Sequence, residues 1–311
     1  MQHPLSTLYD SSTTAAEIAF GHDLIGKTAL VTGGASGLGL ETTRSLAGRG
    51  ARIIVPARDM QAAQAALGDL ADIRAMDLLD SASIRHCAEG LQRDGIRIDL
   101  LILSAGIMAS PLFRDAEGHE GQFATNHLGH FRLTAALWSL LNPGARIVVL
   151  SSRGHQIPGF DLEDLDFTRR AYDKWQAYGQ AKTANALFAV ALDRRGAPNI
   201  RAYSVHPGSV LGPLARHLSA EDLAPFDAVN PDGSPRIDPA RDMKTPQQGA
   251  ATILWCALAP ELSGIGGVYC ENCDIAPVES VGHFGVRPFA IDPDHAEALW
   301  QASRQITGCD I

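Results

Sequence analysis

The stretch "TALVTGGASGLGLETTRSLAGRGARIIV", residues 28–55, restricts the fold more than any other part of the chain. A short run without charge, Thr28–Thr32, leads into a loop with glycines at 33, 34, 37 and 39. The loop opens an amphipathic stretch, and a second short, mostly apolar run follows at 52–56. Runs of four to six mostly apolar residues suit strands buried on both faces of a parallel sheet. Five more such runs occur at 73–76, 100–103, 146–151, 200–205 and 267–270. Between them, apolar residues recur at helical spacing over 37–49, 59–67, 81–93, 115–141, 174–195 and 246–258. Strand–helix alternation of this kind predicts an α/β fold: a doubly wound, Rossmann-type parallel sheet with right-handed crossovers. The chain carries no internal repeat and no low-complexity linker. It divides into an N-terminal arm, 1–26, and one dinucleotide-binding domain, 27–311.

A glycine-rich turn between the first strand and the first helix is built for a pyrophosphate. Glycines let the backbone approach the phosphates, and the helix N-terminus offers unpaired N–H groups to their charge. The second strand ends "PARD". Arg58 stands where an acid would meet a free ribose 2′-hydroxyl, and its guanidinium suits a 2′-phosphate. NADP is therefore favoured, with NAD as the alternative. Asp59 is placed to cap the next helix. Asp77 is placed either to accept from an adenine amine or to cap the helix beginning near Ser81.

"YGQAK", 178–182, puts a phenol and an amine one helical turn apart, on one face of the 174–195 helix. A free tyrosine has a pKa near 10, and a neighbouring ammonium lowers it. Ser152 closes a strand at the edge where open α/β sheets bind ligands. Its neighbour Ser151 points the other way by strand alternation. Asn126, within the 115–141 helix, has poor helix propensity. It is read either as the centre of a local distortion that connects Lys182 to solvent or as a packing amide.

Taken in order, "TGGASGLG" (32–39), "DLL" (77–79), "SAG" (104–106), "NHLGHF" (126–131), "SS" (151–152), "YGQAK" (178–182) and "HPG" (206–208) resemble the short-chain dehydrogenases/reductases. "YSVHPGSV" and "TTAAEIAFGHDLIGK" look like the branch that holds retinol dehydrogenases and the oxidoreductase part of WW-domain oxidoreductases. The resemblance implies that Tyr178 is the acid/base, Lys182 its partner, Ser152 the substrate-orienting hydroxyl and Asn126 a fourth member. It also implies that Gly33, Ser36, Gly37, Leu38 and Gly39 hold the pyrophosphate and Arg58 the 2′-phosphate. Asp77 and Leu78 would meet the adenine, Ala105 and Gly106 the ribose, and Pro207, Gly208 and Val210 the nicotinamide, with Lys182 reaching its ribose. Ser104 stands where the family has Asn, and Gly212 where a Thr or Ser commonly follows the Pro-Gly.

The expected activity is NADP(H)-dependent interconversion of an alcohol and a carbonyl on an apolar small molecule. Two alternatives stay open: reduction of a carbon–carbon double bond by the same Tyr/Lys pair, and a dinucleotide sensor without turnover. Two long segments, 153–173 and 211–245, follow strand ends and carry large apolar residues. They either line a substrate pocket or seal onto the sheet. A net charge of −9 argues against nucleic acid as a partner. No stretch approaches the roughly 20 apolar residues of a membrane span. The N-terminus lacks a signal-like basic start, so a cytoplasmic protein is expected. Five cysteines do not make a disulfide framework, and Cys270-x-x-Cys273 has no second pair to complete a zinc site, so no metal is expected. The 115–141 and 174–195 helices offer faces through which a homo-oligomer could pair.

Overall fold

The seven apolar runs, joined by a short eighth strand, form one sheet in the order β3-β2-β1-β4-β5-β6-β7-β8. The structure, a computed structural model, describes residues 2–311. The parallel strands are β1 (Thr28–Thr32), β2 (Arg52–Ala57), β3 (Asp72–Ala75), β4 (Ile98–Leu103), β5 (Leu141–Leu150), β6 (Arg201–Val205) and β7 (Val268–Glu271). A two-residue strand, β8 (Asp274–Ile275), pairs antiparallel with β7. The hairpin between them carries Asn272 and Cys273 at positive φ, so Cys270-x-x-Cys273 is a tight turn with both thiols buried.

Successive strand residues feed opposite faces. Leu30, Leu101, Leu103, Ile147 and Val149 join one apolar layer, and Ala29, Val31, Leu100, Ile102, Val148 and Leu150 the other. The first layer is covered by α4 (Ser81–Arg93), α5 (Gly121–Phe123), α6 (Gly129–Leu137), α7 (Lys174–Gly196) and the C-terminal α10 (Pro293–Thr307). The second is covered by α1 (Ala15–Ala19), α2 (Gly37–Ala47), α3 (Met60–Leu67) and α9 (Pro246–Leu258). A short helix, α8 (Ala220–Leu223), lies in the long segment after β6. A right-handed doubly wound sheet gathers every βα turn at the carboxyl ends of its strands, and there the candidate site forms.

The helix expected over 115–141 begins only at Gly121 and is broken by a π turn, Ala124–Leu128, between α5 and α6. Residues before Gly121 are committed elsewhere: Gly121 N–H donates to the Phe113 carbonyl and closes a loop. The faces of α6 and α7 proposed for oligomer pairing are occupied by the chain itself. Trp300 of α10 packs 4.8 Å from Phe131 and 6.0 Å from Phe188, and Ser303 bonds His127 at 2.8 Å. From Ala177 to Asp193 every residue of α7 is buried, so this stretch leaves no free apolar face for a second copy. At the other end of the sheet, the Gln2 side chain bonds the Tyr269 N–H and carbonyl, and Asp274 accepts from the N–H groups of Leu5 and Ser6. Among the described residues, no helix is long and apolar enough to cross a membrane.

Candidate active site

The glycine loop is shaped by what a side chain would strike. A Cβ on Gly39 would collide with the Gly33 carbonyl, and one on Gly33 would stand 3.0 Å from Ala105 Cα. Gly37 is different: its φ is +51°, and nothing lies within 4 Å of where its Cβ would be. The loop therefore opens outward at Gly37. Ser36 is the N-cap of α2, yet its side chain makes no capping bond, and the first turn holds no acid. The leading N–H groups of α2 are thus left for an external anion, as a pyrophosphate requires. Gly249, on α9, lets Leu38 from this loop and Val210 from the segment after β6 close together, since its Cβ would lie 2.6 and 2.7 Å from them. Pro207 contributes its carbonyl to the same contact, at 3.4 Å. Gly208 has φ +93° and lies against the buried stem of Lys244.

Arg58 is exposed at the end of β2, with no ion-pair partner among the described residues. Asp59 caps α3, accepting from Ala62 N–H at 2.9 Å. Asp80, not Asp77, caps α4. Asp77 is half-buried and accepts only from Leu79 N–H at 3.0 Å, beside the buried Leu78. At Ala105 and Gly106 the backbone is held from beneath. The Ser104 and Ala105 N–H groups both donate to Thr32 Oγ1, at 2.9 and 3.1 Å. Thr32 Oγ1 lies 2.9 Å from His130 Nε2, and His130 Nδ1 is 2.9 Å from the Asn126 carbonyl. Burial pushes the His130 pKa down to about 4, against the pull of its Asn126 bond. The ring is therefore neutral and donates through Nδ1. This strut fixes the backbone that follows β4 despite the shorter Ser104, and no spacing in the sequence announced it.

Tyr178, Lys182 and Ser152 converge where β5 meets α7. Asp173 caps α7 through the N–H groups of Trp175 and Gln176. Ser151 turns inward and donates to the Lys182 carbonyl at 2.7 Å, tying the helix to the strand. Ser152 turns the other way, accepts from Gly154 N–H at 3.0 Å and acts on the Tyr178 hydroxyl. Gly154 makes that meeting possible: its Cβ would stand 2.7 Å from Tyr178 Cε1 and 3.5 Å from Ser152 Oγ. His155, buried and neutral, bonds the Ser152 carbonyl through Nδ1 at 2.7 Å and accepts from Arg287 N–H at Nε2. Lys182 Nζ donates to the Leu150 carbonyl at 3.0 Å and lies 5.7 Å from the Tyr178 ring centroid.

Electrostatically the pair departs from the expectation that the amine lowers the phenol. Burial pushes Tyr178 up to about 12, with the Ser152 hydroxyl pulling the other way. Burial also brings Lys182 down to about 8. Neither group is exposed by more than 5%, and desolvation outweighs a charge held by the Leu150 carbonyl. At neutral pH the ligand-free site therefore holds a protonated phenol beside an ammonium. Asn126 sits in the π turn. Its side chain accepts from Ile107 N–H and donates to the Ile107 carbonyl, both at 2.9 Å. The amide is spent on the backbone after Gly106, whose missing Cβ would be 2.9 Å from Asn126 Oδ1 and 3.9 Å from Lys182 Nζ.

The two long segments behave differently. In 153–173, Phe160 and Leu165 pack on the core, and Phe167 is buried against Tyr172, so this segment seals. In 211–245, Leu211, Leu214 and Leu218 are half-buried and Phe226 is 55% exposed. The base of that segment is locked by a buried ionic cluster. Asp242 Oδ2 bonds His206 Nε2 at 2.8 Å and Arg153 Nε at 3.0 Å. The Arg153 guanidinium also reaches Glu271 at 3.4 Å and the His283 carbonyl, and it stacks 4.8 Å from the Phe284 ring. Burial raises the Asp242 carboxyl, but His206 and Arg153 pull harder and hold it well below the usual carboxylate range. One arginine, next to Ser152, thus fastens three loops. Arg153→Met leaves Asp242 and Glu271 short of their shared cation and is expected to cost about 3 kcal/mol or more. Urea unfolding measures it, and a loss below about 1 kcal/mol contradicts the clamp.

This is the fold of one family. The family model "short chain dehydrogenase" matches residues 27–223. A "Probable oxidoreductase" of Streptomyces lividans is 41% identical over 292 residues, covering 90% of this chain and 97% of that relative. The "WW domain-containing oxidoreductase" of Drosophila melanogaster is 36% identical over 282 residues, 85% of this chain and 66% of that longer protein. The crystal structure of an uncharacterized protein from Mycobacterium paratuberculosis is 32% identical, with a TM-score of 0.72 over 96% of this chain and 98% of its own. The chain belongs to the short-chain dehydrogenase/reductase family and is an NAD(P)-dependent oxidoreductase.

Proposed function

We propose that this protein is a cytoplasmic, NADP(H)-dependent enzyme that interconverts an alcohol and a carbonyl on an apolar small molecule. The observation that carries the reading is the convergence of Ser152, the Tyr178 ring and Lys182 around Gly154 and the end of β5, on the same sheet edge as the uncapped start of α2. When bound, the nicotinamide cofactor supplies or accepts the hydride. Gly33, Ser36, Gly37, Leu38 and Gly39 would hold its pyrophosphate, Asp77 and Leu78 its adenine, Ala105, Gly106 and Lys182 its riboses, and Pro207, Gly208 and Val210 its nicotinamide. In the reducing direction Tyr178 gives its proton to the carbonyl oxygen while Ser152 donates a hydrogen bond to that oxygen. A phenol held near 12 is protonated at pH 7 and stands ready as a donor. Lys182, charged below about pH 8, stabilises the phenolate left behind. Asn126 keeps the Gly106–Ile107 backbone in place beneath this group.

NADPH consumption with a panel of aldehydes and ketones, with product analysis, tests the reading. Turnover to the alcohol is expected. Cofactor binding without turnover across the panel would overturn it in favour of a sensor, and saturation of a carbon–carbon bond in favour of the other reductase chemistry. The choice of NADP rests on Arg58, an unpaired guanidinium where Asp59 is already committed to α3. A charge-assisted bond to a 2′-phosphate contributes about 1.5–3 kcal/mol, so Arg58→Glu should lower the preference for NADPH over NADH about 10- to 100-fold. Equal use of both cofactors by wild type and variant contradicts the assignment.

A further inference from the structure

The face of α7 that carries the reacting groups continues outward. Lys182, Tyr178 and Trp175 lie four and three residues apart, so all three share one face, with Trp175 about 4.5 Å nearer the helix start than Tyr178. Lys182 and Tyr178 are 5% and 4% exposed, whereas Trp175 is half-buried. The face thus runs from the buried amine, past the phenol, to an indole at the mouth. The Trp175 ring stands 6.5 Å from the Tyr178 ring at 82°. On its other side, 5.7 Å away at 52°, lies Phe226 from the segment after β6, itself 55% exposed. Phe226 is held there by an ion pair between Lys174, the neighbour of Trp175, and Asp222 of α8, at 2.6 Å. Asp222 is in turn fixed by the capping box with Ser219.

Other features of the molecule lead nowhere comparable. The groove between α4, α6 and the C-terminal tail holds, among the described residues, no unpaired buried polar group pointing to a ligand, and the buried cysteines are enclosed in α4 (Cys87), in α9 (Cys256) and in the β7–β8 hairpin (Cys270, Cys273).

We propose that Trp175 and Phe226 form an aromatic wall that selects substrates bearing a flat apolar ring beside the reacting carbon, with the Lys174–Asp222 pair holding the outer ring in position. The inference rests on Tyr178 being the proton donor, because that choice puts the rest of the substrate against Trp175. Aromatic faces favour rings in offset or edge-on contact over flexible alkyl chains of equal area. A wall half open to water gains from being covered. Trp175 is a specificity-determining residue in this arrangement and takes no part in proton transfer.

The experiment compares 2-naphthaldehyde with decanal as substrates, and 2-naphthalenemethanol as a binding probe followed by titration calorimetry. In Trp175→Ala, KM for the naphthyl substrate is expected to rise about 10- to 100-fold with kcat changed less than about threefold, while decanal is nearly unaffected. Trp175→Phe should recover most of the loss. Phe226→Ala and Lys174→Met should share a smaller loss, because both remove the outer ring from its place. A fold that was merely loosened would move both substrates and kcat together. If the naphthyl substrate and the alcohol probe lose no affinity in Trp175→Ala, the wall is disproved while turnover by wild type leaves the oxidoreductase reading intact. If the probe binds in a Trp175-dependent way but no aldehyde is reduced, the wall stands and the reading of the chemistry falls.

Discussion

Tyr178→Phe is expected to bind NADPH as wild type does and to lose carbonyl reduction by about 10²–10⁴-fold, the contribution of a positioned acid. The variant is a clean deletion because the ring itself is structural. Tyr178 is 4% exposed, and its ring edge fills the space Gly154 leaves open. Phenylalanine keeps those contacts and removes only the phenol oxygen. The Ser152 hydroxyl is not stranded, since it still accepts from Gly154 N–H. Cofactor fluorescence and steady-state kinetics on the same preparation separate binding from chemistry. Reduction of the true substrate within about tenfold of wild type would remove Tyr178 from the mechanism, and with it the role assigned to Lys182.

How much of this arrangement is legible in the sequence depends on how local each cause is. The seven parallel strands are readable because strands buried on both faces read as short, mostly apolar runs, with charges such as Arg52 and Arg201 at their first residues. The glycine loop is readable because its steric demands fall on adjacent residues: Gly33 and Gly39 face each other within one turn. Ser151 and Ser152 divide their roles as strand alternation requires. The π turn at Asn126 is hinted at only by the poor helix propensity of Asn126 and does not show in a 3.6-residue periodicity, since one extra residue in a turn leaves the apolar spacing on either side unchanged. Its cause is tertiary: Ile107, 19 positions away, offers both an N–H and a carbonyl to one amide. The His130–Thr32 strut is more distant still, spanning 98 positions. Alternation of strand and helix ends at β7 and says nothing of α10. That helix is nonetheless marked locally, by an Asp292 cap, Pro293 at its first position and apolar residues at Ala296, Leu299 and Trp300. The shift of Tyr178 is the deepest omission. Spacing reports that an amine is one turn away, but it does not report burial, and here burial decides the sign.

Lys182→Met should lose reduction about as severely as Tyr178→Phe, and yet yield a more stable protein. The ammonium is 5% exposed, and burial brings its pKa from the ordinary 10.5 to about 8. At 1.36 kcal/mol per pKa unit, keeping it charged costs the folded state about 3 kcal/mol at neutral pH. Methionine fills the same channel without a charge. The Leu150 carbonyl, which accepts from Lys182 Nζ, keeps its second donor, Asn185 Nδ2 at 2.8 Å, so no buried oxygen is orphaned. The net gain at pH 7 is therefore expected at about 1–3 kcal/mol, or a Tm higher by about 2–6 °C. Its pH dependence identifies the cause. Between pH 8 and 10.5 the unfolded lysine binds a proton that the folded one has released, so wild-type stability rises through that window. The advantage of the variant should shrink over the same interval and vanish above it, while a surface effect would leave the difference constant. In wild type, kcat/KM for reduction should fall along a limb centred near pH 8 as the same ammonium is lost. A variant less stable than wild type at pH 7 would mean that the charge is compensated by partners other than Leu150, and the phenolate would then have no free cation to stabilise it.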